Sequence, residues 1–188
     1  MVDLEDILAK RRSIRRYTDE KVSYDTIVEI IDDATHAPSS GNEQPWRFII
    51  VDDQSLMKRI SDDCKKSLLE RIRKDPEDYV KKYQKMLENE AFNIFYNAPA
   101  VVFIVGDRSL KNSEKNCALA AGYFMISAVA RGLGTCWINF AVYITSKELL
   151  DKLGITEKDM IVAPIIIGYP EHIPDMPERK KPDVTRIG

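Results

Sequence analysis

Apolar positions along the chain recur with two periods, and the changes between them divide it into elements. The first run, DLEDILAK from Asp3, sets Leu4, Ile7 and Leu8 at helical spacing behind Asp3, which predicts a short capped helix. Ser23 opens a second helix with a stripe of Tyr24, Ile27, Val28 and Ile31, and Pro38 stops it. The stretch PSSGNEQP is then a loop, and WRFIIVDD from Trp46, rich in β-branched and aromatic residues, is a strand.

Two charged amphipathic stretches come next. One carries Leu56, Ile60, Cys64 and Leu68; the other follows Asp75-Pro76 with Tyr79, Tyr83, Met86 and Leu87. Together, residues 56–95 read as a helical insertion with a solvated face. PAVVFIVGD from Pro99 is almost wholly apolar, as expected of a strand covered on both faces. A helix from Asn112 to Arg131 is apolar on most sides and ends at Gly132, so it belongs in a core or a subunit interface. TCWINF from Thr135 and VAPIIIGYP from Val162 give two more strands, with a short helix opened by Ser146 between them. From Pro170 four prolines interrupt an aperiodic tail, an arm or extended strand over 171–188.

Length and charge narrow the classes. A chain of 188 residues suits one domain, 1–188, with a sizeable core. Its 28 basic and 30 acidic side chains leave a formal charge of −2, against recruitment to nucleic acid by overall basicity. The uncharged run Cys117–Ala130 is shorter than the roughly 20 residues that cross a bilayer. The start is acidic where an export signal is basic, and the three cysteines form no metal-like or disulfide pattern, so a reducing cytoplasm is expected.

Against this acidic background RRSIRRY concentrates Arg11, Arg12, Arg15 and Arg16 within seven positions. Guanidinium groups bind phosphate in two-pronged fashion, although a solvated charge run at a helix end reads the same way. Glycine-rich phosphate loops are absent, and the only histidines, His36 and His172, lack partners for a triad or metal. APSSGNEQPW offers Ser39, Ser40, Asn42 and Gln44 between two prolines, which suits either a polar ring edge or an ordinary connection. RGLGTCWINF brings backbone round two glycines, beside a cofactor or simply into a strand.

Taken in order, RRSIR, APSSGNEQPWRFI, NAPAVVFIV, AVARGLGTCWINF and KKP resemble the FMN-dependent nitroreductase family, and they span nearly the whole chain. That resemblance implies an α+β nitroreductase-like fold, a central mostly antiparallel sheet wrapped by helices, in an intertwined homodimer with FMN at the interface. It places Arg11, Arg12, Ser13 and Arg15 at the FMN phosphate, ribityl chain and ring edge, joined by Lys180 or Arg179. Pro38, Ser39, Ser40 and Asn42 would form a loop on the flavin, contributed by the partner subunit, and Trp137, Ile138 and Asn139 would border the ring, with the Asn139 N–H near N5. Phe140 stands where relatives have glycine. The chemistry implied is hydride transfer from NADH or NADPH to a nitroaromatic, quinone or similar small acceptor, with no catalytic side chain and no metal. Reductive dehalogenation, enone reduction and a flavin store use the same frame.

Overall fold

The computed structural model describes residues 3–188; Met1 and Val2, at the head of the acidic N-terminal stretch, lie outside the described residues. Helix α1 (Leu4–Lys10) is capped by Asp3, whose side chain accepts from the Glu5 N–H, and α2 (Tyr24–Thr35) by Ser23, which accepts from Thr26. The face that α2 buries is Ile27, Ile30 and Ala34. Tyr24 and Val28, expected in the stripe, are exposed, because helical geometry sets them on the flank of the face centred on Ile27 and Ile30.

Four strands form one antiparallel sheet: β1 (Trp46–Val51), β2 (Ala100–Asp107), β3 (Gly134–Trp137) and β4 (Asp159–Gly168), in the order β1-β2-β4-β3. The central pair is buried on both faces. Val101, Phe103 and Val105 of β2 enter a core beneath α3 (Gln54–Lys74), whereas Ala100, Val102 and Ile104 enter a second core under α2 and α5 (Ser113–Ala130). Strand alternation therefore supplies two hydrophobic layers from one run. Helices flank an antiparallel sheet, so the class is α+β.

Three expectations change in detail. The second amphipathic stretch of the insertion divides into a 3-10 helix over Tyr79–Tyr83 and a short α4 (Gln84–Glu88), since Asp78 starts a new cap by accepting from the Val80 N–H. The strand expected over Thr135–Phe140 stops at Trp137, and Asn139–Val142 turns into a 3-10 helix. Helix α5 is buried on one side only; Leu119 and Tyr123 on the other are 47% and 42% exposed. Helix α6 (Lys147–Lys152) is capped by Ser146 as expected, and residues 171–188 are exposed without regular structure.

Candidate functional site

The arginine segment is held against the edge of the sheet. Ser13 bridges Thr135 in parallel, Ile14 N–H donates to the Thr135 carbonyl at 2.9 Å, and Tyr17 bridges Pro170. Two glycines permit this approach. A Cβ on Gly134 would lie 2.6 Å from Ile14 Cγ1, and one on Gly168 would lie 2.7 Å from both Tyr17 and Pro99. Between these anchors Arg15 and Arg16 are left exposed, and Arg12, just before them, is half-buried.

Arg11, Arg12, Ser13 and Arg15 meet Arg179 of the C-terminal tail around a cavity of about 430 Å³, which Pro174, Asp175 and Pro177 complete. Lys180, the adjoining basic residue, does not line it. Among the described residues none of these arginines forms an ion pair. Arg12 donates to the Ala9 and Arg11 carbonyls, and its Nε is buried without a partner. Four guanidinium groups gathered with a single carboxylate make a strong anion site.

Arg15 also lines a second cavity, of about 190 Å³, with Tyr83, Tyr96, Trp137, Asn139 and Phe140. Its guanidinium lies 5.6 Å from the centre of the Tyr96 ring, a cation–π arrangement. Ile138 contributes to the same wall, with Met86 from α4. Asn139 opens its 3-10 helix, a position whose N–H has no intrahelical acceptor. Tyr83 meets Phe140 edge to face at 5.2 Å, so the insertion and the segment after β3 close one end of the slot.

Tyr96 lies outside the motifs that stand out in the sequence. Its φ is +53° and that of Asn97 is +54°, left-handed backbone that a bulky residue adopts at a cost of about 1–3 kcal/mol. Buried Ile94 and Phe95 hold it there, and Lys65, itself buried on α3, donates to the Asn89 and Phe92 carbonyls just before them. Only the Tyr-Asn pair ahead of Ala98-Pro99 hints at this turn, because asparagine tolerates that conformation.

Three weakly acidic groups near the two cavities stay protonated at neutral pH. Burial pushes the Tyr17 and Tyr96 phenols and the Cys136 thiol above their ordinary values, and Arg15 offsets this only in part. Positive charge therefore dominates among the described residues that line the two cavities.

The loop Pro38, Ser39, Ser40 and Asn42 lies elsewhere. The Ser40 N–H donates to Asn116 Oδ1 at 3.2 Å and Asn112 Nδ2 donates to Ser40 Oγ, which fastens the loop to the N-terminal end of α5. Arg12 lies against the other end of α5, beside Val129 and Ala130. At 1.5 Å per residue the helix separates them by about 25 Å. Within the chain the structure joins Arg11–Arg15, Arg179 and Trp137–Asn139, and keeps Pro38–Asn42 apart.

The family model for the nitroreductase family matches residues 8–169. The chain belongs to the nitroreductase family. An Archaeoglobus fulgidus relative, provisionally named an NADH dehydrogenase/NAD(P)H nitroreductase, is 30% identical over 89% of this chain and 86% of its own. An iodotyrosine deiodinase of Thermotoga neapolitana is 28% identical over 89% of both chains. A nitroreductase from Bacteroides fragilis, solved with bound FMN, shares the fold with a TM-score of 0.84, at 19% identity and full coverage of both chains. No helix among the described residues is long and apolar enough to cross a membrane.

Proposed function

We propose that the protein is an FMN-dependent oxidoreductase that carries a hydride from NADH or NADPH to a small acceptor such as a nitroaromatic or quinone. One observation carries this reading: an arginine cavity without ion pairs shares Arg15 with a slot walled by aromatic rings. An anionic end joined to a flat aromatic end is the outline of a flavin mononucleotide, and the donor set fits it.

In this reading Arg11, Arg12 and Ser13 hold the phosphate, with Arg179 from the cavity wall or Lys180 beside it. Arg15 spans the junction with the ring, and Trp137, Ile138 and Asn139 border the ring itself. Bound there, FMN would supply the hydride- and electron-transfer chemistry. The chain would supply charge neutralisation from its arginines, aromatic walls beside the ring, and the Asn139 N–H as a donor for the negative charge of reduction. Phe140 and Tyr83 limit the room beside the ring.

A homodimer follows from the same assignment. The loop Pro38–Asn42 is about 25 Å from the arginines of its own chain, too far to touch the same ligand. A second copy can bring its own loop to that ligand. Leu119 and Tyr123 on α5 and Leu4 and Leu8 on α1 are exposed apolar residues suited to such a contact, and residues 171–188 form an arm long enough to cross it. The free cysteines suit a cytoplasmic setting.

A second reading keeps the flavin frame and changes the acceptor: the likeness to an iodotyrosine deiodinase favours reductive dehalogenation. Sedimentation velocity after reconstitution with FMN tests the common frame. The expected result is a dimer with one FMN per subunit; a stable monomer that retains FMN would remove the shared site.

A further inference from the structure

Arg16 is the arginine of the cluster that the flavin assignment leaves unused. It lines a third, polar cavity of about 500 Å³ with Arg15, Tyr96, Asn93, Asp19 and Glu171. This cavity and the aromatic slot share two lining residues, Arg15 and Tyr96, so the spaces adjoin across the left-handed turn at Tyr96 and Asn97. Arg15 is the charged residue on the wall of the slot, and Arg16 stands beyond it. Neither forms an ion pair among the described residues, although Asp19 and Glu171 face the same space.

We propose that this polar cavity is the subsite for the anionic substituent of the electron acceptor, with Arg16, beside Arg15, receiving a carboxylate whose ring lies against the flavin at the mouth of the slot. Guanidinium groups match a carboxylate with parallel N–H donors, which fixes the orientation of an attached ring as well as its charge. The two acidic side chains set an upper limit on that charge. Each repels added negative charge, so a monocarboxylate suits the cavity better than the dianion of a phosphate monoester. The proposal takes the identity of the reaction from the flavin reading, while the anion site rests on Arg15, Arg16 and the cavity themselves.

The test compares 4-nitrobenzoate with nitrobenzene as acceptors for the FMN-loaded protein, wild type and Arg16→Gln, and follows benzoate binding by calorimetry. Arg16 is exposed, so its replacement spares the fold, which melting curves verify. The substitution is expected to lower kcat/KM for 4-nitrobenzoate by about five- to tenfold and to leave nitrobenzene within about twofold. Benzoate should bind more weakly by a similar factor, Arg16→Lys should restore part of the loss, and Asp19→Asn should tighten benzoate. Equal losses with both acceptors, or a benzoate affinity indifferent to Arg16, would overturn the subsite. So would an effect confined to the KM of NADH or NADPH, which would give the cavity to the donor. A protein that takes up no FMN contradicts the flavin reading alone, because calorimetry still decides whether benzoate distinguishes Arg16 from Gln.

Discussion

Gly134→Ala isolates the link between sheet packing and the arginine cavity. The new methyl would stand 2.6, 2.8 and 2.9 Å from Cγ1, Cβ and Cγ2 of Ile14, all inside contact distance and all on one side chain. Ile14 is 3% exposed and β-branched, so it has no rotamer into which to retreat. Overpacking costs about 1–3 kcal/mol, here towards the upper end, while alanine in a strand regains about 0.5–1 kcal/mol relative to glycine. The net destabilisation is about 2 kcal/mol, a fall in Tm of about 4–8 °C for a chain of this length. Relief comes by lifting the 11–15 segment off β3, which stretches the Ile14–Thr135 hydrogen bond and displaces Arg12 and Arg15. Loss of even one charged hydrogen bond weakens FMN about tenfold or more. Differential scanning calorimetry and a flavin fluorescence titration read the two effects. Adding Ile14→Ala removes two of the three contacts and should recover part of the FMN affinity. A variant with unchanged Tm and unchanged FMN affinity would refute the idea that this glycine seats the cluster.

Arg11→Ala should weaken FMN about tenfold or more and leave riboflavin, which lacks the phosphate, as before; equal losses for both ligands, read by the same titration, would take Arg11 off the phosphate. Asn139→Ala keeps its N–H and should alter flavin reduction little, whereas Asn139→Pro deletes the N–H and should slow it, in stopped-flow traces of proteins with matched FMN content. Asp33 accepts from Ser127 and Arg131 at 2.6 and 2.7 Å, and the Ser127 bond, followed by Arg131, holds its carboxyl below the ordinary 3.8. A depressed carboxyl adds stability above pH 3.8 that is lost as pH falls through the folded value. Asp33→Asn should therefore lower Tm at pH 7, by an amount consistent with a partly exposed pair worth about 1 kcal/mol or less, and the gap should close in acid. A gap that is constant with pH would exclude the carboxylate as its source.

The elements were legible wherever a local signal decided them. Asp3, Ser23 and Ser146 each accept the capping bond their position predicts, and the apolar run after Pro99 is the doubly covered central strand. Less legible were features set by contacts distant in sequence. Tyr24 and Val28 have the spacing of a core stripe, yet the sheet lies on the side of Ile27 and Ile30, which the helix alone does not reveal. The stop at Trp137 follows from the pairing of β3 with β4, since the last matched pair is Trp137 with Ile165.

For the site, RRSIRRY stood out as a local charge cluster and TCWIN only through the ordered family resemblance, and the cavities they line share Arg15. The sequence could not show that Arg179, rather than Lys180, lines the arginine cavity, because the tail has no periodicity to orient it. Nor could it show the left-handed Tyr96, which depends on Ile94 and Phe95 being buried and on Lys65 holding the preceding carbonyls. Separation of the Pro38–Asn42 loop from the arginines likewise required the length of α5 laid between them.

Anaerobic mixing of the FMN-loaded protein with NADH and, separately, with NADPH tests the central claim most directly. The expected result is rapid bleaching of the flavin absorption band with at least one donor, and return of the band when a nitroaromatic or quinone is added. Bound flavin that stays oxidised with both donors would contradict it and leave a protein that holds FMN without turning it over.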